Sequence, residues 1–415
     1  MRKEYFSYLC RQIIVNLMKT KEKIGAILRH PFLRDGRVLL GLWMILALVA
    51  MTKIRHGHNN NFLVFKYVFW HTIEGKSLYA PYAEYFDINH YGPVFSLVIA
   101  PFAWEPVWLG MLLWLVALTA LLFVAVRYSS LERPGQIFVY WFCAHELLNA
   151  LFMQQFNIAI VAFLLLAFYC IEKEKEWGAA FLIMLGTFVK LYGIVGLAFF
   201  LFSKRKGRLL LWLAIWAVVL FVAPMLISSP EYVISQYGEW YQNLITKNGD
   251  NMFSPGQNIS LLGMVRKISG CATYSDLWLM IPGMILFALP YLRFSQYKHL
   301  AFRQTILASV LMFVVLFSTG TENSGFVIAL PGIVIWYVAA PWKRSKWDIA
   351  LMVYVFFCCS FAHSDLFPRV LRDQLIRPYA LKALPVAIVW LRLCYEMMVR
   401  DYAPEVRLQE IKEAS

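Results

Sequence analysis

Residues 304–321, QTILASVLMFVVLFSTGT, and residues 323–342, NSGFVIALPGIVIWYVAAPW, decide how this chain is read. Between Arg303 and Lys343 only one charged side chain occurs, Glu322, at the junction of two apolar runs that each suffice for a tilted helix to cross a bilayer. Uncharged runs also lie at 106–126, 147–171, 209–230, 277–292 and 349–364, and 38–52 becomes a span if Lys53 and Arg55 snorkel at its outer end. The 415 residues are 60% hydrophobic and 15% charged, where a soluble domain carries about 25% charge. That composition excludes an ordinary soluble enzyme and predicts an all-α, polytopic integral membrane protein with about ten to thirteen transmembrane helices.

The net charge of +14 would suggest nucleic acid on a soluble protein. Here the basic residues fall in short turns between apolar runs: Arg127 with Arg133, Lys173 with Lys175, Lys204 to Arg208, Arg293 with Lys298, and Lys343, Arg344 and Lys346. The positive-inside rule makes these cytoplasmic loops and removes nucleic acid as a partner. The predicted organisation is a cytoplasmic, basic amphipathic arm over 1–37, a transmembrane domain over 38–399 and a cytoplasmic tail over 400–415. Outer segments fall at about 55–105, 229–275 and 363–378, and the working surface faces the periplasm. Pro93 to Trp104 is apolar but only half a span, and reads as a re-entrant or surface helix.

Several motifs fail on inspection. Glu74-Gly75-Lys76-Ser77 lacks the upstream glycine of a phosphate-binding loop, since Trp70 stands there. His145-Glu146-Leu147-Leu148-Asn149 has asparagine where a second zinc-binding histidine belongs, and reads as a polar pair between helices. The seven cysteines form no CxxC pair, and neither Asp-x-Asp nor GxGxxG occurs. No cofactor and no metal are expected.

Four features carry chemistry instead. Phe62, Phe65, Phe69, Trp70 and Ile73 recur at helical spacing, as in an amphipathic helix on the outer leaflet that anchors the chain or frames a site. Tyr79, Tyr82, Tyr85, Phe86, Asn89, His90 and Tyr91 surround Asp87, a mixture of aromatic faces and hydrogen-bonding groups that suits sugars and also an interfacial aromatic belt. Lys190 divides the half-spans 177–189 and 191–203; a mid-membrane lysine costs roughly 2.5–3.5 kcal/mol, so it is kept for a partner or a water-filled cavity, or snorkels at a helix end. Gly193 and Gly196 would allow a break there. Arg369, Arg372 and Arg377 lie on the outer side against the charge rule, where an anion would justify them unless Asp365 and Asp373 pair with them.

Taken in order, Asn61-Phe62-x-Val64-Phe65, Gly75-x-x-x-Tyr79, Tyr91-Gly92-Pro93-x-Phe95, Gln155-Phe156-Asn157, Lys190-Leu191-Tyr192, Asn258-Ile259-Ser260 with Gly263 and Arg266, and Glu322-Asn323 resemble glycosyltransferase family 87 over about residues 38 to 340. This is a family of GT-C type, related to polyprenyl-phosphate-mannose-dependent mannosyltransferases. Asp365 to Arg369 and Arg377 to Lys382 look like a Bacteroidetes-like branch of it. The resemblance implies a GT-C-like bundle in the inner membrane. It would move a sugar from a polyprenyl-phosphate carrier, with inversion, to a hydroxyl of a glycan or glycolipid acceptor, as in cell-envelope glycan assembly.

The resemblance also implies site residues. Asn61, Tyr91, Gln155, Asn157, Lys190, Tyr192, Asn258, Ser260, Arg266, Glu322, Arg369 and Arg372 would bind substrate, with Lys190, Arg266, Arg369 and Arg372 on the phosphate. The family's aspartate at the start of the first outer loop is replaced here by Asn61, and an amide cannot take a proton from a sugar hydroxyl. Asp87 is the expected base, with Glu84 and Glu322 next. A lipid-linked sugar transporter, suggested by the split at Lys190 and by Pro224, Pro282, Pro290 and Pro331, and a sugar-binding protein that has lost catalysis are the alternatives.

Overall fold

The computed structural model describes residues 30–52, 57–254, 256–271, 273–362 and 367–403. The terminal arm up to residue 29, Lys53, Arg55, Asp365 and the tail from 404 lie outside the described residues. All regular secondary structure among the described residues is helical. The chain divides into two compact units, residues 1–45 and 46–415. In the first, His30 Nδ1 accepts from Phe32 N (3.3 Å) to cap the short Pro31–Arg34 helix, and Asp35 Oδ1 accepts from Arg37 N (2.7 Å) where the Gly36–Ala50 helix begins.

In the second unit, the Leu300–Leu316 and Phe326–Ala339 helices form the most extensive pair, and 13 of 17 and 11 of 14 of their residues are buried. This is why their sequences are apolar all round rather than on one stripe. Gly332 permits the approach, because a Cβ there would meet Ala308 O and Leu311 Cβ at 2.9 Å each. The turn between them holds Glu322.

Val107–Tyr128 and Lys206–Leu226 are long and apolar enough to cross a membrane; the other apolar helices run to 10–17 residues. Among the described residues, full-length spans are therefore fewer than the ten to thirteen expected, and some uncharged runs are divided locally. The run 147–171 is interrupted between the Ala144–Phe152 and Asn157–Glu172 helices, where Gln154 takes a left-handed conformation (φ 51°). The outward faces are nonetheless apolar: Leu210, Leu211, Val218, Trp278, Ile281 and Ile285 are all more than half exposed, the pattern of a surface that meets lipid.

The segment around Lys190 is a helical hairpin. Glu176–Val189 ends at Lys190, whose backbone is extended (φ −150°, ψ 97°), and the 3₁₀ helix Leu191–Phe202 runs back along it. A Cβ on Gly193 would meet Gly186 C and Thr187 N at 2.3 Å, and one on Gly196 would meet Ile183 Cγ1 at 2.7 Å. The two glycines serve close packing rather than freedom at the break. The far ends of the hairpin also meet, with Lys204 Nζ 2.8 Å from Glu174 Oε1. Lys190 thus occupies the tip of the hairpin.

At that end the first outer segment is stitched to the Pro230–Asp250 helix. Leu78 N donates to Gln236 Oε1 (2.7 Å), Tyr232 OH to Lys76 O (2.7 Å), and Trp240 Nε1 to His90 O (3.0 Å). Gly92 N donates to Val189 O (3.0 Å), and a Cβ at Gly92 would strike Phe188 O at 2.1 Å, so only glycine lets this loop reach the hairpin tip. The Asn60–Glu74 helix differs from the expected lipid-surface helix. Phe62, Phe65 and Phe69 are buried in protein against the Phe95–Ile99 segment and its neighbours, and Lys66 is buried in an ion pair with Glu105. An apolar stripe looks the same in sequence whether lipid or a packed helix covers it. Pro93 to Trp104 contains only the short Phe95–Ile99 and Ala100–Phe102 helices, of five and three residues.

Candidate active site

A cavity of about 710 Å³ opens where these loops converge. Seven of the expected site residues line it: Asn61, Asp87, Tyr91, Gln155, Lys190, Tyr192 and Glu322. Their separation along the chain is bridged by a continuous polar chain. Tyr91 OH donates to Gln155 Oε1 (3.0 Å), Gln155 Nε2 donates to one oxygen of Glu322 (3.0 Å), and Gln257 Nε2 donates to the other (3.1 Å). Glu322 is held by two amides, with no cation in hydrogen-bond contact among the described residues.

Lys190 Nζ donates to Asn157 Oδ1 (2.8 Å) and lies over the rings of Tyr91 (5.5 Å) and Tyr192 (4.9 Å). Among the described residues it forms no ion pair. Tyr192 is fixed in turn by a hydroxyl contact with Ser318 Oγ (2.8 Å). A second cation, Lys247 of the Pro230–Asp250 helix, lines the same cavity without a side-chain hydrogen bond or ion pair among the described residues. Burial lowers its pKa, and Glu322 and Asp87 partly offset that by attraction. Asp87 is exposed at the cavity, with one oxygen accepting from Ile88 N (2.8 Å). Burial pulls His90 down to about 4, so it is a neutral imidazole near pH 7, hydrogen-bonded through Nδ1 to Asn243 Oδ1 (2.7 Å).

The remaining expected site residues stand elsewhere. Asn157 is one bond behind the cavity, through Lys190. Asn258 (φ 51°) and Ser260 form a local turn, with Ser260 Oγ donating to Asn258 Oδ1 (2.7 Å) and accepting from Gly263 N (3.1 Å). Ile259 N donates to Thr321 O (2.7 Å), so this turn braces the loop that carries Glu322. Arg266 is buried against Asp276 (2.9 Å) and the Tyr274 ring, in the wall of a neighbouring groove. Arg369 and Arg372 do not line the cavity; Arg372 Nε pairs with Asp373 (3.0 Å).

Sequence reasoning missed Trp240, Lys247, Asn248 and Gln257, whereas His90 belongs to the expected cluster around Asp87. Lys247 carried the same signal that drew attention to Arg369 and Arg372, a cation on the outer side. Its position on a polar helix hid it.

The neighbouring groove, of about 660 Å³, shares Leu191, Tyr192, Asn248, Ser318 and Thr319 with the cavity and continues along Ile194, Val195, Met280, Phe313 and Phe317. A polar chamber whose two lysines form no ion pair among the described residues thus adjoins a largely apolar groove. No curated protein matches the chain. The model of glycosyltransferase family 87 matches residues 89–319, just over half of the 415, spanning Tyr91, Gln155, Lys190, Tyr192 and Lys247 and stopping short of Asp87 and Glu322. The chain therefore belongs to glycosyltransferase family 87, a family of membrane glycosyltransferases.

Proposed function

We propose that the protein transfers a sugar from a polyprenyl-phosphate carrier to an acceptor hydroxyl, with inversion, on the periplasmic side of the inner membrane. The observation that carries the reading is the pairing, in one cavity, of a carboxylate at the mouth with two lysines that make no ion pair among the described residues, beside an apolar groove. The isoprenoid chain lies along Ile194, Met280 and Phe317, and the phosphate meets Lys190 and Lys247. Cations placed where negative charge develops on the leaving phosphate favour the transition state over the bound donor. Tyr91, Trp240, Gln257 and Glu322 hold the sugar by a ring face and hydroxyl hydrogen bonds.

In the step itself the acceptor oxygen forms a bond to the anomeric carbon while the bond from that carbon to the phosphate oxygen breaks. The electron pair leaves with the polyprenyl phosphate, and the acceptor proton passes to Asp87. A single displacement inverts the anomeric centre. Asp87 serves as base because its second oxygen is uncommitted among the described residues, whereas both oxygens of Glu322 accept amide protons. Of the two observations behind the transporter alternative, the split at Lys190 takes the form of a hairpin tip, which favours the transferase, while Pro282 and Pro331 do lie within helices.

The test is incubation of the protein in lipid nanodiscs with radiolabelled polyprenyl-phosphate mannose or glucose and a bacterial lipid extract as acceptor. Labelled glycan with inverted anomeric configuration is expected. Label that only crosses the bilayer, or stays on the carrier with every acceptor offered, overturns the reading.

A further inference from the structure

A second cavity, of about 500 Å³, abuts the first and shares with it Asn61, Phe86 and Met153. Its character differs from both the reaction chamber and the apolar groove. His58, Asn60, His145, Asn149, Asn323 and Ser360 face it, while Arg377, the one Lys, Arg, Asp or Glu among the described lining residues, is already paired with Asp373 (3.2 Å). Ser360 is 1% exposed, yet its Oγ has no hydrogen-bond partner among the described residues, and the same holds for His145 Nδ1. A buried polar atom without a partner costs about 1–3 kcal/mol unless something binds it, so a cavity lined by one such hydroxyl and one such imidazole nitrogen suits a ligand with hydroxyls. Phe86 is 87% exposed in the shared wall and is held there by its own N–H, which donates to Asn60 Oδ1 (2.9 Å). An exposed ring beside several amides is the arrangement that recognises a sugar.

We propose that this second cavity binds the terminal, uncharged sugar of the acceptor glycan and presents its hydroxyl past Phe86 to the reaction chamber. The proposal rests on the transferase reading above and adds to it the acceptor's class and position. Donor and acceptor then reach the reacting carbon through different walls, the donor by way of Tyr192 and Ser318 and the acceptor by way of Asn61 and Phe86, as a displacement reaction needs. Asp87 follows Phe86 directly, which sets the base at the doorway the acceptor hydroxyl must pass. The near-motif around His145 finds its use here as a sugar contact.

The experiment reads sugar binding without donor. Full-length protein in nanodiscs free of glycoside detergent is mixed with the methyl glycosides of mannose, glucose, galactose and N-acetylglucosamine, and contact is measured by saturation-transfer NMR. Wild type should show contact with at least one. Ser360→Ala, which removes a hydroxyl with no hydrogen-bond partner among the described residues, should weaken it about fivefold or more, and His58→Trp, at the exposed rim, should abolish it. Acceptor KM in the transfer assay should rise about tenfold or more in both variants while donor KM stays within about twofold. Both variants should melt as wild type does. Absence of contact with every glycoside in wild type, or undiminished contact in both variants, overturns the proposal; so does loss of donor binding in either variant, which would make this cavity part of the donor site. Glycoside contact that maps as stated in a protein that does not bind polyprenyl-phosphate sugar would leave this site standing and sink the donor assignment.

Discussion

Two lysines in the apolar body of this molecule are treated in opposite ways. Lys382 is fully buried, with Nζ 2.8 Å from Glu146 Oε1, 3.0 Å from Asn323 O and 2.6 Å from Asn323 Oδ1, and the Phe326 ring at 4.7 Å. All three ammonium protons and the charge are matched. Lys190 has one amide oxygen and two tyrosine faces, and no ion pair among the described residues. A cation saturated by protein is structural, whereas one left with neutral partners beside a cavity is available to an anion. Lys382 nevertheless serves the site at one remove, because it clamps Asn323, the residue after Glu322.

The comparison predicts its largest effect at the saturated pair. Lys382→Met leaves the Glu146 carboxylate buried without its cation and should cost about 3–5 kcal/mol of stability. A large drop in melting temperature of the nanodisc-embedded protein is expected, and most of it should return in the Glu146→Gln/Lys382→Met double variant. A single variant that melts like wild type would break the contrast between the two lysines.

Asp87→Asn should come next. It keeps shape and hydrogen-bonding reach but cannot accept a proton, so turnover should fall about 100-fold or more with melting temperature and donor affinity retained. Asn61→Asp in that background tests whether the family's original position addresses the same site, since both residues line one cavity. Full transfer activity in Asp87→Asn would pass the base to Glu322.

Lys190→Met is predicted to spare the fold, in contrast to Lys382→Met, and to weaken donor binding about 10- to 100-fold, the worth of one charge-assisted contact of about 1.5–3 kcal/mol. Unchanged donor affinity would make Lys190 a second structural lysine. Lys247 sharpens the point through pH. Its pKa is lowered by burial, so it loses its proton earlier than an exposed lysine as pH rises. The protonated form binds phosphate, and donor affinity should therefore decline as pH climbs from neutrality into the alkaline range, a decline that Lys247→Gln flattens. His90 works in the other direction. Its pKa lies near 4 in the folded protein against 6.5 unfolded, so the stability tied to its neutral form is present above about 6.5 and lost as pH falls toward 4. His90→Gln should remove that part of the acid sensitivity.

Much of this site was legible in the sequence because chemistry conflicted with surroundings. Lys190 stood out as a charge in an apolar run, Glu322 as the lone carboxylate between two spans, and Asp87 as a carboxylate in a ring of aromatics. What sequence could not supply was which outward residues converge. The helix of Phe62 and Phe65 carries the periodicity of a lipid-facing stripe yet packs in protein, and Lys190 reads as the middle of a broken span yet tips a hairpin, since glycine spacing permits a kink or a close return equally. Lys247 and Gln257 were invisible because polar residues on a polar outer segment have no local contrast to mark them.

Arg369 and Arg372 test the comparison at its weakest point. Read from sequence, they were outer cations in want of an anion, and the same argument applied to Lys190. In the structure Arg372 is buried and bonded to Asp373, Arg377 shares that carboxylate at 3.2 Å, and neither Arg369 nor Arg372 lines the reaction chamber. Outer location alone therefore does not mark a phosphate ligand; what marks it is a charge whose protein partners are neutral and whose head group faces a cavity. On that criterion Arg369→Ala and Arg372→Ala should each leave donor affinity within about twofold, since neither side chain lines the chamber. Arg372→Ala should show its effect in melting temperature instead, through the Asp373 contact it abandons. A tenfold loss of donor affinity in either variant, with melting unchanged, would mean that this segment reaches the phosphate when donor is bound, and the distinction drawn from Lys190 and Lys382 would then fail for arginines on the outer loops.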